Sequence, residues 1–138
     1  MEDTIFMKII RREIPADIVY EDADTLAFLD VQPNNPGHTL VVPKKPFRNI
    51  FDIDDETLTA VWRTTRKVAK AVKEAVGAEG MNINTNNEAV AGQLVFHYHV
   101  HIIPRFKNDG IRLWSGKKLY PTAAAATAVA EKIRQAIL

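Results

Sequence analysis

The sequence predicts an α+β fold, an antiparallel sheet of about five strands with one long helix, one short helix and a C-terminal helix. Three observations carry that expectation. Short apolar runs rich in Val, Ile, Leu and Phe are punctuated by Pro, Gly, Asn and Asp, the pattern of strands joined by turns. One central stretch keeps helical periodicity from about Asp54 to Val76. The connections between the early runs are short enough for hairpins, which favours an antiparallel sheet over repeated crossovers.

Taken in order, Ile5, Phe6, Ile9 and Ile10 stand at helical spacing behind Asp3 or Thr4, either of which can cap, and Pro15 ends the segment. Ile18-Val19-Tyr20 and Leu26-Ala27-Phe28-Leu29 flank Glu21-Asp22-Ala23-Asp24 and read as a hairpin. Pro33 and Pro36-Gly37 break the chain before a third strand, His38 to Pro43. The long helix has Asp54, Asp55 and Glu56 at its positive end and Lys67, Lys70 and Lys73 towards its negative end, with Gly77 as terminator. Leu58, Val61, Trp62, Thr65, Val68, Ala69 and Val72 form its expected buried face. A fourth strand is expected at Met81–Thr85, a polar loop at Asn86–Gly92, and a fifth strand at Val95–Pro104. Pro121 to Leu138 is expected to be a final helix, with Pro121 near its first turn and alanines favouring it.

The 138 residues suffice for one core without metal clips or disulfides. One domain is expected over 1–138, with a core at 3–106 and a C-terminal extension at 107–138. A formal charge of +1 provides no general field for nucleic acid or acidic membrane, so an anionic substrate must be held locally. With no cysteine, a disulfide framework, a thiolate nucleophile and a cysteine-based zinc site are excluded. The acidic start and the interruptions at Lys8, Arg11 and Arg12 do not resemble a secretion signal. No apolar run approaches the ~20 residues of a membrane helix. A cytoplasmic protein is expected.

Chemistry concentrates in Phe96-His97-Tyr98-His99-Val100-His101-Ile102-Ile103. Side chains alternate along a strand, so His97, His99 and His101 are expected on one face, roughly 6.6 Å apart, given a rise of ~3.3 Å per residue. Two readings compete. The imidazoles could chelate a metal, or one could attack phosphorus while the others hold phosphate oxygens or set its tautomer. Phosphate is favoured by Ala91-Gly92-Gln93, where Gly92 leaves backbone N–H groups approachable, and by the neutral donors Asn86, Asn87 and Gln93. A metal would more naturally gather carboxylates, of which this loop has only Glu88.

The His-x-His-x-His run followed by two apolar residues resembles the signature of the histidine triad (HIT) superfamily of nucleotide hydrolases and transferases. Asp3-Thr4-Ile5-Phe6, Lys8-Ile9-Ile10-Arg11, Glu13-Ile14-Pro15-Ala16, Leu26-Ala27-Phe28 with Asp30, and Leu40-Val41-Val42-Pro43-Lys44-Lys45 are similar to the Hint branch (adenosine phosphoramidase-like). Gly37-His38 and Ile103-Pro104-Arg105 are similar to the Fhit-like branch, which cleaves dinucleoside polyphosphates. The resemblance covers about residues 3–106.

The resemblance implies that His99 is the nucleophile, His101 a contact to the α-phosphate, His97 a support and His38 a further active-site histidine. It implies that Asp30 holds the ribose hydroxyls, that Phe6, Val19, Phe28 and Val31 surround the base, and that Asn86, Gly92 and Gln93 lie by the phosphate. It also implies an AMP-type purine nucleotide substrate, no cofactor and a homodimer, with Trp62 or its helix as candidate contact. Three departures stand out. Many bacterial members bind structural zinc through a Cys-x-x-Cys pair and a histidine after Lys-Lys, where this chain has Thr4, Met7 and Pro46, so no such metal is expected. Leu94 replaces a serine near the Hint leaving group, and the tail after Arg105 is unlike the Hint ending. The expected activity is attack on the α-phosphate of a nucleoside phosphoramidate or related compound through a nucleotidyl-histidine. The rival readings are a Fhit-like hydrolase, a zinc hydrolase and a nucleotide-binding protein whose turnover is incidental.

Overall fold

A computed structural model describes residues 2–112 and 116–137. Its elements run α1 (Ile5–Ile10), β1 (Ile18–Glu21), β2 (Thr25–Leu29), β3 (Thr39–Pro43), α2 (Asp55–Val76), β4 (Gly80–Asn84), a 3-10 turn (Ala89–Ala91), β5 (Val100–Arg105) and α3 (Ala123–Ala136). The strands make one sheet in the order β1-β2-β3-β5-β4, with every pair antiparallel.

Period-two alternation divides the sheet into two working faces. Ala27, Val41, Val100 and Ile102 meet Val61, Val68, Ala69 and Val72 of α2, together with Tyr98. Leu26, Phe28, Leu40 and Val42 point the other way and meet Phe6 and Ile9 of α1. Because both faces are covered, β2 and β3 read as continuous apolar runs rather than alternating ones. Each fully buried large aliphatic side chain contributes about 1.5–3 kcal/mol, so the two layers hold the strands flat beneath whatever α1 leaves open.

Helix α2 begins where Asp54 accepts the Thr57 N–H at 2.7 Å and ends at Gly77, whose left-handed conformation lets its N–H reach the Lys73 carbonyl. Trp62 departs from its expected burial. It is 39% exposed, because Val61, Thr65, Val68 and Val72 take the inward stripe and leave it one step round the helix. Its indole N–H donates to the Tyr98 hydroxyl at 3.1 Å.

Several other boundaries shift. The fifth strand starts at Val100 rather than Val95, because the Tyr98 N–H bonds the Phe47 carbonyl and draws the preceding residues off the β3 ladder. The fourth starts and ends one residue early. Helix α3 begins after the Thr122 cap, spans Ala123–Ala136 and buries none of its residues; its alanine content supplies the propensity that packing does not. No helix among the described residues is long and apolar enough to cross a membrane.

Gly37 fixes the entry to β3. Its φ is +98°, and a β-carbon there would stand 3.0 Å from a Val76 methyl on α2. Gly37→Ala should therefore lose about 1–3 kcal/mol of stability, since backbone strain adds to the close approach. Urea denaturation checks this.

Candidate active site

The side of the sheet that faces α1 carries a cavity of about 440 Å3. Its apolar end is formed by Phe6, Ile9, Ile14, Pro15, Phe28 and Leu40, and its polar end by Asp30, His38, Asn86, Gly92, His99 and His101. Phe6 stands edge-on to Phe28 at 5.5 Å and to the His99 ring at 4.9 Å, so one aromatic side chain joins the apolar end of the cavity to the imidazole.

The four histidines are ordered by partners whose roles are fixed. A carbonyl can only accept, so the 2.7 Å contact between His99 Nδ1 and the His97 carbonyl puts the proton on Nδ1. The lone pair of His99 is then on Nε2. By the same argument His97 donates from Nε2 to the Pro43 carbonyl at 2.8 Å, and its buried Nδ1 has no partner among the described residues. At His38 the logic reverses. Nδ1 accepts the Asn34 backbone N–H at 3.0 Å, so Nε2 carries the proton and donates to His101 Nδ1 at 2.9 Å. His101 therefore presents an N–H from Nε2. The neighbouring rings of His99 and His101 are 5.0 Å apart.

Burial keeps all four rings neutral. Desolvation lowers the pKa of His97, of His99 and of His38, with Asp30 opposing the shift at the last two and backbone carbonyls opposing it at His97 and His99. His101 is pushed down to about 4 by burial first and then by the adjacent rings. Asp30 accepts the Gln32 N–H at 2.9 Å through one oxygen, and its other oxygen lies 3.5 Å from His38 Nε2. Asp30, His38 and His101 could offer an ion three atoms within 4.8 Å of one another. Ligation through His38 Nε2 would require the tautomer that the Asn34 N–H opposes.

The loop over the polar end is braced from below. Glu88 adopts φ +79°, rare for a residue with a side chain. Arg48 clasps its carboxylate with two bonds of 2.7 and 3.0 Å, and Asn49 adds a third at 2.6 Å. These partners lower the Glu88 pKa to about 2. Gly92 closes the turn at φ +90°.

Residues 11–108 match the HIT domain family. The chain belongs to the HIT family. It is 50% identical over 106 residues to a HIT-like protein of Methanocaldococcus jannaschii, covering 77% of this chain and 81% of that one. It is 37% identical over 117 residues to the adenylylsulfatase HINT3 of Arabidopsis thaliana, covering 85% of this chain and 58% of that longer protein. A crystal structure of a HIT family member from Bacillus subtilis superposes with a TM-score of 0.89 at 36% identity over 99% of each chain.

In this HIT protein the cavity brings together His38, His99, His101, Asp30, Phe6, Phe28, Asn86 and Gly92, with Val31 and Leu94 as exposed rim residues. Two expected site residues lie elsewhere. Val19 is the extra residue of a bulge between Ile18 and Tyr20, which turns it towards α2 beside Val68 and Val72. Gln93 is buried and spends its amide on the carbonyls of Arg48 and Val95, the Glu88 N–H and Asn49, so it braces the loop rather than facing the cavity. His97 lies behind His99 against Phe6, the supporting position that the resemblance implies. Sequence reasoning missed Arg48 and Asn49, whose partners are about 40 positions away, and Asn34, which acts through its backbone. Ile5, Ile9, Ile14 and Leu40 were also missed as cavity walls, although the helical spacing of Ile5, Phe6 and Ile9 was the available signal.

An imidazole held neutral in the fold takes up its proton more readily when unfolded, where its pKa is near 6.5. Stability from these rings is complete above about pH 6.5 and declines as pH falls towards 4. The melting temperature should fall across that window, and His101→Asn should flatten the slope; scanning calorimetry at stepped pH checks both.

Proposed function

We propose that this HIT protein hydrolyses a nucleoside phosphoramidate or a related nucleotidyl compound at the α-phosphorus, with His99 as nucleophile. The observation that carries the reading is the pairing of His99 Nδ1–H with the His97 carbonyl, which leaves the Nε2 lone pair for the cavity. An imidazole neutral at pH 7 can attack phosphorus and can leave again.

The base enters the apolar end of the cavity against Phe6 and Phe28, Asp30 takes the ribose hydroxyls, and the α-phosphate lies over His99 and His101. As the bond from Nε2 to phosphorus forms, the bond to the departing group breaks, that group takes up a proton from solvent to leave as a neutral amine, and His99 gains positive charge. The His97 carbonyl, which accepts the Nδ1–H, favours that charge. The His101 Nε2–H and the backbone around Gly92 donate to the phosphoryl oxygens; preorganised donors of this kind commonly contribute about 3 kcal/mol each. Water then cleaves the nucleotidyl-histidine and returns His99 to its neutral form. His38 acts by holding the tautomer of His101.

Charge supports a singly charged phosphoryl group over a polyphosphate chain. Lys and Arg are absent from the described lining of the cavity, and the four rings are neutral, so an additional phosphate would meet no cation. The family relation to an adenylylsulfatase supports cleavage of a nucleotide at the same phosphorus. A homodimer is part of the proposal: β4 is an open sheet edge and Trp62 a half-exposed aromatic on α2, and pairing across them would extend the sheet.

Four outcomes follow. His99→Ala should lower AMP release from adenosine 5′-phosphoramidate by at least ~1000-fold, as for loss of a nucleophile, measured by chromatography; turnover at the parent rate overturns the assignment. Asp30→Ala should chiefly raise KM. The acid limb of kcat/KM should lie below the ordinary imidazole pKa, because His99 is held low, and activity should persist in EDTA.

A further inference from the structure

A second recess, of about 360 Å3, is lined by His101 but not by His99. It shares Asn34, Asn86 and His101 with the nucleotide cavity and adds Asn82, Asn84, Ile83 and Ile103. Sheet register explains why two of its amides face the triad. Asn84 pairs opposite His101 and Asn82 opposite Ile103 across the antiparallel β4/β5 ladder, and residues directly opposite project from the same face. Four asparagines thus border one recess that begins where the nucleotide cavity ends.

Their bonding leaves both donors and acceptors open. The Asn82 oxygen accepts from Arg105 at 2.7 Å, so its NH2 faces outward as donor. Asn84 donates weakly to the Asn86 oxygen at 3.4 Å, which leaves the Asn84 oxygen and the Asn86 NH2. The Asn34 side chain has no hydrogen bond among the described residues. Fixed charge is missing from the lining, and Arg105, which bonds Asn82, is itself clasped by Asp109 at 2.8 and 2.9 Å. A phosphorus attacked by His99 expels its departing group opposite His99, and the recess is lined by His101 but not by His99.

We propose that this recess receives the departing group and selects an uncharged one that both donates and accepts hydrogen bonds, a carboxamide-bearing amine being the simplest. The inference rests on the reading of His99 as nucleophile. An amide group satisfies amides of both polarities at once, whereas a carboxylate or phosphate in the same place finds donors but no counter-charge and leaves the acceptors unpaired.

Three adenosine 5′-phosphoramidates test it, made with methylamine, glycinamide and glycine. Methylamine is too short to enter, glycinamide carries a carboxamide and glycine a carboxylate. The glycinamide compound should exceed the methylamine one in kcat/KM by about tenfold, the scale of one or two neutral hydrogen bonds, and should exceed the glycine compound as well. Asn84→Val suits a strand position, and Asn34→Ala keeps the backbone N–H that holds His38. Each should cut the glycinamide-to-methylamine ratio about three- to tenfold. Equal rates for glycinamide and methylamine in the parent protein, or variants that lower all three compounds by one factor, overturn the role of the recess while His99 stands. A parent protein that hydrolyses none of the three overturns the nucleophile reading and this inference with it.

Discussion

A single hydrogen bond from His99 Nδ1 to the carbonyl two residues behind it organises the candidate site. It spans only one intervening residue, so it depends on the chain leaving the β5 ladder just there, and the Tyr98 N–H bond to Phe47 makes that departure possible. The same departure turns His97 towards the end of β3 and places its ring behind His99. Without it, an ordinary strand would have spaced three equivalent imidazoles along one face. The irregularity makes them unequal. One is tied and waiting, one is a buried prop, and one is a donor set by a fourth histidine from the adjoining strand.

The fold was legible because its elements obey simple periodicities. The helical repeat of α2, with Asp54 before it and Gly77 after it, and the apolar runs of β2 and β3 were readable as they stand. The HIT family relation was visible in the triad and its flanking motifs. What escaped was governed by contacts distant in sequence. No local pattern shows that Arg48 and Asn49 hold Glu88, or that Gln93 turns inward to spend its amide on the loop. Val19, which the resemblance put by the base, lines the α2 side instead, because a bulge inserts one residue into β1. Trp62 misled because a helix can place a large aromatic at the margin of its inward stripe as readily as on it.

Polar order in the site is built largely from backbone groups. The carbonyls of His97 and Pro43 and the N–H of Asn34 set three of the four rings. Such partners carry no titratable proton and cannot be removed by one side-chain change. The side chains are left free for the substrate. The loop opposite takes the other solution, with a left-handed Glu88 secured by an arginine, an asparagine and a buried glutamine. Both keep donors and lone pairs pointing at one place before any ligand arrives, which is how preorganisation lowers a barrier.

The scarcity of cations around the cavity has a consequence for encounter. With Arg105 and Arg48 each engaged by a carboxylate, the mouth of the site sets up little attractive potential for an anion in bulk solvent. Capture then rests on shape and stacking at short range rather than on long-range steering. Added salt, which slows partners guided by opposite charge, would leave the rate of nucleotide arrival nearly unchanged.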